Sequence, residues 1–563
     1  MLIVAAILIC INILTSYFHK GIDLTTEKRF TLSEPTVKLL KSLEETVVVD
    51  VYLEDDKFPP DIQRLQEAVR ERLMSFRSLA GNKFSFRFSN PFKDKNDNEK
   101  KQIAHDLQQK GIQPMELRSG DEDEQSQRTF FPFALVHYNN REMVLMLLEN
   151  KTGASSGAEN VNYAISLLEY KFANALNIMS KPDLAHLAYI VGNGEPLDIT
   201  TVDMLHALQR RYYVDTVDLA HVAQISRVYD AAIIVQPKIP FTGPEKLRID
   251  QYLMNGGRLL LSLNNLNANT DSLNGQSQFM AMENNTDLDD LIYKYGARVN
   301  NDLVEDKLNL GLPRIMNDGE AIMRPWLFFP KLNPTAEHPI VKNMDFIRAG
   351  FTNSIDTIKT PGIKKTILLQ TSKLSLKADA PVRVSLSMMN YKLEDQMFTK
   401  SYLPVAVLLE GKFISAFRNR LAPEFLRYLN DSLKQPFKPA CDSAGGIIVT
   451  SIGDAFINTT TPKGINPMGY YVWTREYFAN REFFLNCMEY LTDHSGILES
   501  RSKDSKLRLL DTSRAKDEKT KWQFINVAIP LALVLVFASA YFFFRKRRYE
   551  IKSNTSKPVS GNA

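Results

Sequence analysis

The chain has 563 residues, 44% hydrophobic and 24% charged, the balance of an ordinary globular protein with room for roughly three to four domains. A formal charge of +4 on that length gives nucleic acid no footing, and none is expected as a partner. Cys10, Cys441 and Cys487 are too scattered for a disulfide framework or a zinc-ligand spacing.

Residues 1–18 (MLIVAAILICINILTSYF) carry no charge and are closed by His19 and Lys20. They predict a first transmembrane helix over 1–19, short for a span but within range. A cleaved signal peptide is the rival; no basic residue precedes the apolar run and no small-x-small site follows it, which favours a retained anchor. In the juxtamembrane segment 20–45, Ser33 can cap a helix starting at Glu34-Pro35, with Val37, Leu40 and Leu43 as its stripe.

A first domain is expected over 46–150. Residues 46–53 (TVVVDVYL) read as a buried strand. Pro59-Pro60-Asp61 opens a helix with Ile62, Leu65, Val69, Leu73 and Phe76 on one face and Gly81 as its stop. A strand at 84–90, a polar helix at 98–110, and strands near 130–138 and 142–148 follow, the last two joined by Asn139-Asn140. Closed by a helix at 161–176, this order matches a thioredoxin-like fold. The redox cysteine pair is missing, so the domain reads as a scaffold. Pro132 stands before the third strand, where that fold often places a cis proline. The acidic run 120–124 reads as a solvated loop, with cation binding as the alternative.

Residues 151–182 form a small-residue linker (KTGASSGAE, 151–159) and that helix. A second α/β domain is expected over 183–495. Strands are predicted at 187–191, 213–219, 231–235, 258–263, 404–409, 413–417 and 446–451, with helices at 200–211, 244–255 and 481–492. Such alternation predicts a mostly parallel sheet. Residues 264–400, rich in Asn, Asp, Pro and Met, read as an insertion or lid. A charged connector, 496–521, leads to a second uncharged run at 522–544 (WQFINVAIPLALVLVFASAYFFF). As a helix this run reaches roughly 35 Å, enough to span a hydrocarbon core. Trp522 and Tyr541 suit its interfacial edges, and Arg545, Lys546, Arg547 and Arg548 orient the tail 545–563 to the cytoplasm. That cluster also suits anionic lipid. Everything between the two spans then lies outside the cytoplasm.

Gly192-Asn193-Gly194-Glu195 follows a strand at the carboxyl edge of the expected sheet, the usual ligand position in open α/β sheets. It holds half of a GxGxxG fingerprint, since Leu197 takes the third glycine position. A tight turn needing positive φ is the alternative reading. Asp454 also follows a strand, so Glu195 and Asp454 are a candidate rim pair for acid–base chemistry. No HExxH or Walker A motif occurs and no GxSxG stands at a strand-to-helix elbow, and no cofactor or metal is expected. Cys487 falls in a helix, not on a strand-to-helix elbow where an amidotransferase nucleophile stands. ATP-driven work would fall to another subunit.

Several segments together resemble the gliding-motility-associated ABC-transporter auxiliary protein of GldG type: RFTLSEPTVKLLKSL (29–43), VYLEDDKFPPDIQRL (51–65), SNPF (89–92), FPFALVHY (131–138), LLEYKFANAL (167–176), IDQYLMNGGRLLL (249–261), FISAFRNR (413–420), IGDAFI (452–457) and RLLD (508–511). The resemblance runs over nearly the whole chain in the same order. It implies an inner-membrane, substrate-binding subunit working with a separate permease and ATPase. It also implies a second domain like glutamine amidotransferase sheets without their nucleophile. The family usually has a histidine where this chain has Asn193, which weakens a catalytic reading of the turn. Members occur in bacteria that do not glide. The expectation is a two-span α/β protein with both termini cytoplasmic, periplasmic domains and no catalysis. The alternatives are a periplasmic enzyme acting on envelope material and a structural envelope scaffold.

Overall fold

The computed structural model describes residues 31–553 apart from 56–57, 94, 110–111, 113–114, 120–125, 149–156, 182, 316–319, 335, 462–463, 494 and 503–517. The apolar run at 1–19, the acidic run at 120–124 and the tail beyond 553 therefore lie outside the described residues. The chain divides between Ser505 and Lys506 into two units, a body and a helix.

The body begins with α1 (Glu34–Lys41) and β1 (Val47–Val51). Next comes α2 (Pro60–Ala80), with proline in its first turn, where no N–H partner is needed. Ile62, Leu65, Val69, Leu73 and Phe76 recur at helical spacing and are all buried, each contributing about 2 kcal/mol. Gly81, at φ 61°, stops the helix in a conformation that side chains resist. Then follow β2 (Phe84–Phe88), α3 (Asp97–Gln109), β3 (Phe133–Tyr138), β4 (Arg141–Met146) and α4 (Gly157–Ser180). The sheet order is β2-β1-β3-β4; β1 and β2 are parallel and the other pairings antiparallel. Asn139 and Asn140, at φ 53° and 56°, make the β3–β4 turn in the left-handed region that matches strand twist.

The second sheet has seven strands. In chain order they are β5 (His186–Val191), β6 (Tyr213–Asp218), β7 (Ala231–Val235), β8 (Arg258–Ser262), β9 (Ile363–Gln370), β10 (Pro404–Gly411) and β11 (Gly445–Thr450). Spatially they run β9-β10-β11-β8-β7-β5-β6. Neighbours among β11, β8, β7, β5 and β6 pair in parallel; β10 and β9 extend the sheet antiparallel. Parallel strands buried on both faces need unbroken apolar runs, and AAIIV in β7 is buried at every position. Two helices cross over between parallel strands, α5 (Val202–Gln209) and α6 (Gly243–Met254); α7 (Asn480–Thr492) follows the last strand and packs on the sheet. One face of this sheet, with Tyr189, Ile233, Leu260 and Ile448, shares a continuous core with β1, α2, α4 and α7. The opposite face, with Ile190, Ile234, Leu261 and Val449, packs on α6 and on a short helix at Asp289–Tyr295. A third core, around Trp326, Phe328 and Phe351, lies within residues 266–478.

Several expectations are corrected. Ser33 does not cap α1 through its hydroxyl, which instead meets Thr36 Oγ1 at 2.8 Å. The third strand of the first sheet starts at Phe133. Residues Ser126–Phe130 pair instead with Met115–Ser119 in a separate hairpin that the sequence did not suggest. The Phe131–Pro132 bond is not cis; among the described residues the cis bond is Ala380–Pro381. Residues 157–159 belong to α4. Within the supposed insertion, β9 is an edge strand of the main sheet, and its mixed burial blurs the alternation. Residues 413–417 are not a strand. Gly411, at φ 147°, ends β10, and Phe413 turns beneath Tyr295 with ring centroids 5.6 Å apart. Ser415 Oγ and the Ala416 N–H then donate to buried Asp250 at 2.7 and 2.8 Å.

The second unit is one helix, α8 (Lys519–Ser553). Among the described residues it alone is long and apolar enough to cross a membrane, over Lys521–Arg548. Phe524 and Phe537 on it are 73% and 74% exposed, which no core helix of a soluble protein would show.

Candidate functional site at the carboxyl edge of the main sheet

Strand order reverses between β5 and β7: the chain leaves β5 for β6 on one side, then returns past it to β7. The crevice outside the carboxyl ends at such a reversal is where open α/β sheets hold ligands. Gly192, Asn193, Gly194 and Glu195 stand there, facing the residues that follow β7. The Asn193 carbonyl accepts from the N–H groups of Lys238 and Ile239, both at 2.8 Å. Both glycines are required. At Gly192 (φ 113°) a Cβ would lie 2.8 Å from Asp218 Oδ1, and at Gly194 (φ 83°) 3.0 Å from Lys238 Cβ.

Glu195 is 8% exposed. Its Oε2 accepts the Asn193 N–H at 2.8 Å, while Oε1 has no hydrogen-bond partner among the described residues. Burial pushes this carboxyl up from its ordinary 4.5 to about 7, and the nearby charges of Glu245 and Asp218 push the same way. Asn193 Nδ2 donates to Glu245 Oε2 at 3.3 Å. The same Glu245 oxygen accepts the Thr242 N–H at 2.7 Å and the Thr242 hydroxyl at 2.8 Å, in the capping box of α6. The switch-point turn is thus fastened to a helix start. Glu245 escaped the sequence reading, although Thr242-x-x-Glu245 is a legible capping signal.

Asp454 has a different setting. It pairs with Arg348, which is 8% exposed and whose guanidinium lies 6.0 Å from the Tyr471 ring centroid. Asn480 holds Arg348 in turn: its Oδ1 accepts the Arg348 N–H at 3.0 Å, and its Nδ2 donates to the Arg348 carbonyl at 2.7 Å. Gly350 and Gly453 form a parallel bridge, and Gln236 Nε2 donates to the Gly453 carbonyl at 2.6 Å. Gln236 itself sits at φ 48°. These contacts stitch residues 348–353 onto the carboxyl ends of β7 and β11. Among the described residues no hydrogen bond or ion pair joins Glu195 to Asp454, and Asp454 is not among the charges that shift Glu195.

Both described cysteines are reduced and buried, and burial raises both thiols, which disfavours the nucleophilic thiolate. Among the described residues no cluster of His, Cys, Asp or Glu is arranged to hold a metal ion. These hydrogen bonds and the Arg348–Asp454 pair brace the edge.

Residues 185–487, more than half the chain, match the family described as ABC-type uncharacterized transport system. The chain belongs to that family. This makes it an auxiliary component of an ABC-type transport system, in keeping with an accessory, non-enzymatic role. Residues 26–137 match a domain of unknown function. An uncharacterized protein of Borreliella burgdorferi is 21% identical over 544 residues, covering 94% of this chain and 93% of its own. The solved mmIFT52 N-terminal domain is 13% identical, covering 55% of this chain and 97% of its own, with a TM-score of 0.30. Similarity at that level carries nothing further.

Proposed function

We propose that this family member is a non-catalytic, membrane-anchored auxiliary or substrate-binding subunit of an ABC transporter complex, of the gliding-motility-associated GldG type. The single observation that carries this reading is the family match over 185–487 in a chain that also holds the exposed apolar helix at Lys521–Arg548. A separate permease and cytoplasmic ATPase supply the channel and the energy. Trp522 marks one interfacial edge of the span, and Arg545, Lys546, Arg547 and Arg548 keep the carboxyl terminus in the cytoplasm. With 1–19 as a second anchor in the inner membrane, both termini are cytoplasmic and the body is periplasmic.

The first domain serves as a thioredoxin-like scaffold without redox cysteines, a reading supported by the β2-β1-β3-β4 order with β3 antiparallel. The second is an amidotransferase-like sheet turned to binding, supported by its parallel strands and by buried thiols in place of a nucleophile. Gly192, Asn193, Gly194 and Glu195 form the ligand or partner rim. Asp454 belongs to the same edge and fastens its cover.

Affinity purification of the tagged chain after mild solubilisation tests this directly. A permease and an ATPase should co-purify in fixed ratio. A chain that runs alone, also after crosslinking in cells, overturns the reading.

A further inference from the structure

Strands Asn309–Ile315 and Ala321–Leu332 form an antiparallel hairpin in which Leu312 stands opposite Arg324 and Arg314 opposite Ile322. Side chains alternate faces along a strand, and opposite residues share a face, so Leu312, Arg314, Ile322 and Arg324 lie together. At the base of this face Leu312 is buried in the third core, with Trp326. Further out the face is exposed, and Arg314 and Arg324 occupy it. Residues 389–393 lie alongside, and with Lys307 they enclose a cleft of about 640 Å³, the size of a small-molecule site. Lys307, Arg324, Asn390, Tyr391 and Lys392 line it, and no carboxylate is among its described lining residues. Its floor is fixed. Asn309 Oδ1 accepts the Trp326 N–H at 3.0 Å, and Asn309 Nδ2 donates to the carbonyls of Asp306 and Lys307 at 2.8 and 3.0 Å. The Tyr391 N–H donates to the Met388 carbonyl at 3.1 Å.

The charges at this cleft are unevenly matched. Lys307 pairs with Asp395, and Lys392 pairs with Glu394 at 3.2 Å. Arg314 donates to the Asn390 side-chain oxygen, and neither Arg314 nor Arg324 has a carboxylate partner among the described residues. Two guanidinium groups without counter-charge therefore stand at one cleft whose lysines are already balanced. Tyr391, 55% exposed, presents a ring beside them. We propose that the cleft binds a phosphate monoester carried on a sugar-sized body. Such a group brings close to two negative charges at neutral pH and three acceptor oxygens, which the planar fork of arginine meets bidentately. A monocarboxylate would answer one guanidinium and leave the other bare. A sugar laid against Tyr391 covers an aromatic face now turned to water. The site is separate from the Gly192–Glu195 turn and does not depend on the transporter reading.

Isothermal titration of the full chain in detergent with glucose 6-phosphate, inorganic phosphate and glucose tests this. Glucose 6-phosphate should bind, and binding should weaken about tenfold or more in Arg324→Ala and in Arg314→Ala, and in high salt. Tyr391→Ala should weaken glucose 6-phosphate about threefold and leave inorganic phosphate unchanged. Glucose alone should give no heat. Arg298→Ala removes an exposed arginine that pairs with Asp356 and does not line the cleft, and should bind as the wild type does. All these positions are exposed, so equal thermal midpoints check that the variants fold. No binding of glucose 6-phosphate up to about 10 mM, or equal affinity in wild type and Arg324→Ala, overturns the proposal. Inorganic phosphate binding as tightly as glucose 6-phosphate overturns the sugar-sized body.

Discussion

The carbonyl oxygen of Gly350 occupies the place where a side chain on Gly453 would begin: a Cβ there would sit 1.7 Å from it. Two backbone segments, one after β11 and one from the middle section of the chain, touch at this point because neither carries a side chain. Gly453 is also at φ 57°. Gly453→Ala therefore meets a rigid backbone clash and a left-handed conformation together, and should destabilise the body by about 3 kcal/mol or more. Gly157→Ala, with open space around it, should stay within about 0.5 kcal/mol. Denaturant midpoints of the two variants check the contrast; equal midpoints would mean that the bridge does not hold the edge.

Glu195 predicts a pH dependence with a definite sign. Its carboxyl lies higher in the folded chain, about 7, than its ordinary 4.5. The folded state therefore binds more protons than the unfolded state between those values, and stability falls as pH rises through that window. The full effect is roughly 3 kcal/mol, lost between about pH 4.5 and 7 and flat above. Glu195→Gln should remove this slope while leaving the rest of the pH profile in place. A wild-type chain equally stable at pH 5 and pH 8, or a variant with the same slope, contradicts it.

Arg348 and Asp454 make a partly exposed ion pair, the carboxylate 32% exposed. Solvent screening moderates its worth, and removing either partner should cost about 2 kcal/mol. In a double-mutant cycle Arg348→Ala and Asp454→Ala should couple, so that the double variant loses less than the sum of the two. Limited proteolysis should then cut first within 264–400, as the middle section loosens from the sheet edge. Additive losses would show that the pair acts independently.

Tyr170 ties α4 to α7 through its bond to Glu489. Burial raises the Glu489 carboxyl, so this donor matters to whichever protonation state it holds. Tyr170→Phe removes one hydroxyl and leaves a buried carboxyl short of a partner, a loss of about 1–3 kcal/mol. Thermal unfolding of the full chain in detergent should show a single transition at lower temperature. An unchanged transition would mean that Asn174, which donates to the same oxygen at 2.9 Å, suffices alone.

Much of the fold was legible because periodicity was strong. The stripe from Ile62 to Phe76 and the apolar runs of β5, β7, β8 and β11 leave few other ways to bury themselves. The position of the glycine turn also followed from local sequence, since a strand followed by Gly-Asn-Gly needs a reversal. Long-range chemistry was not legible. Arg348 and Asp454 lie 106 residues apart, and nothing local marks them as partners. In the hairpin of Met115–Ser119 and Ser126–Phe130 the second strand, SQRTF, has one apolar residue and so no alternation to mark it. α4 looked like a closing helix after a linker, yet Glu169, Tyr170 and Asn174 on it are buried and bonded to Ser33 on one side and to Glu489 of α7 on the other. Burial of polar residues on both sides of one helix is set by what packs on it, which single-sequence periodicity does not report.

The proposed function requires a folded body held outside the cytoplasm by membrane helices and driven by ATP hydrolysed elsewhere. Dual alkaline phosphatase and green fluorescent protein fusions measure it most directly, placed after residue 300 and after residue 553 of the full chain. Phosphatase activity without fluorescence at 300, and fluorescence without phosphatase activity at 553, is the expected pair. Fluorescence at residue 300 would put the body in the cytosol and contradict the claim.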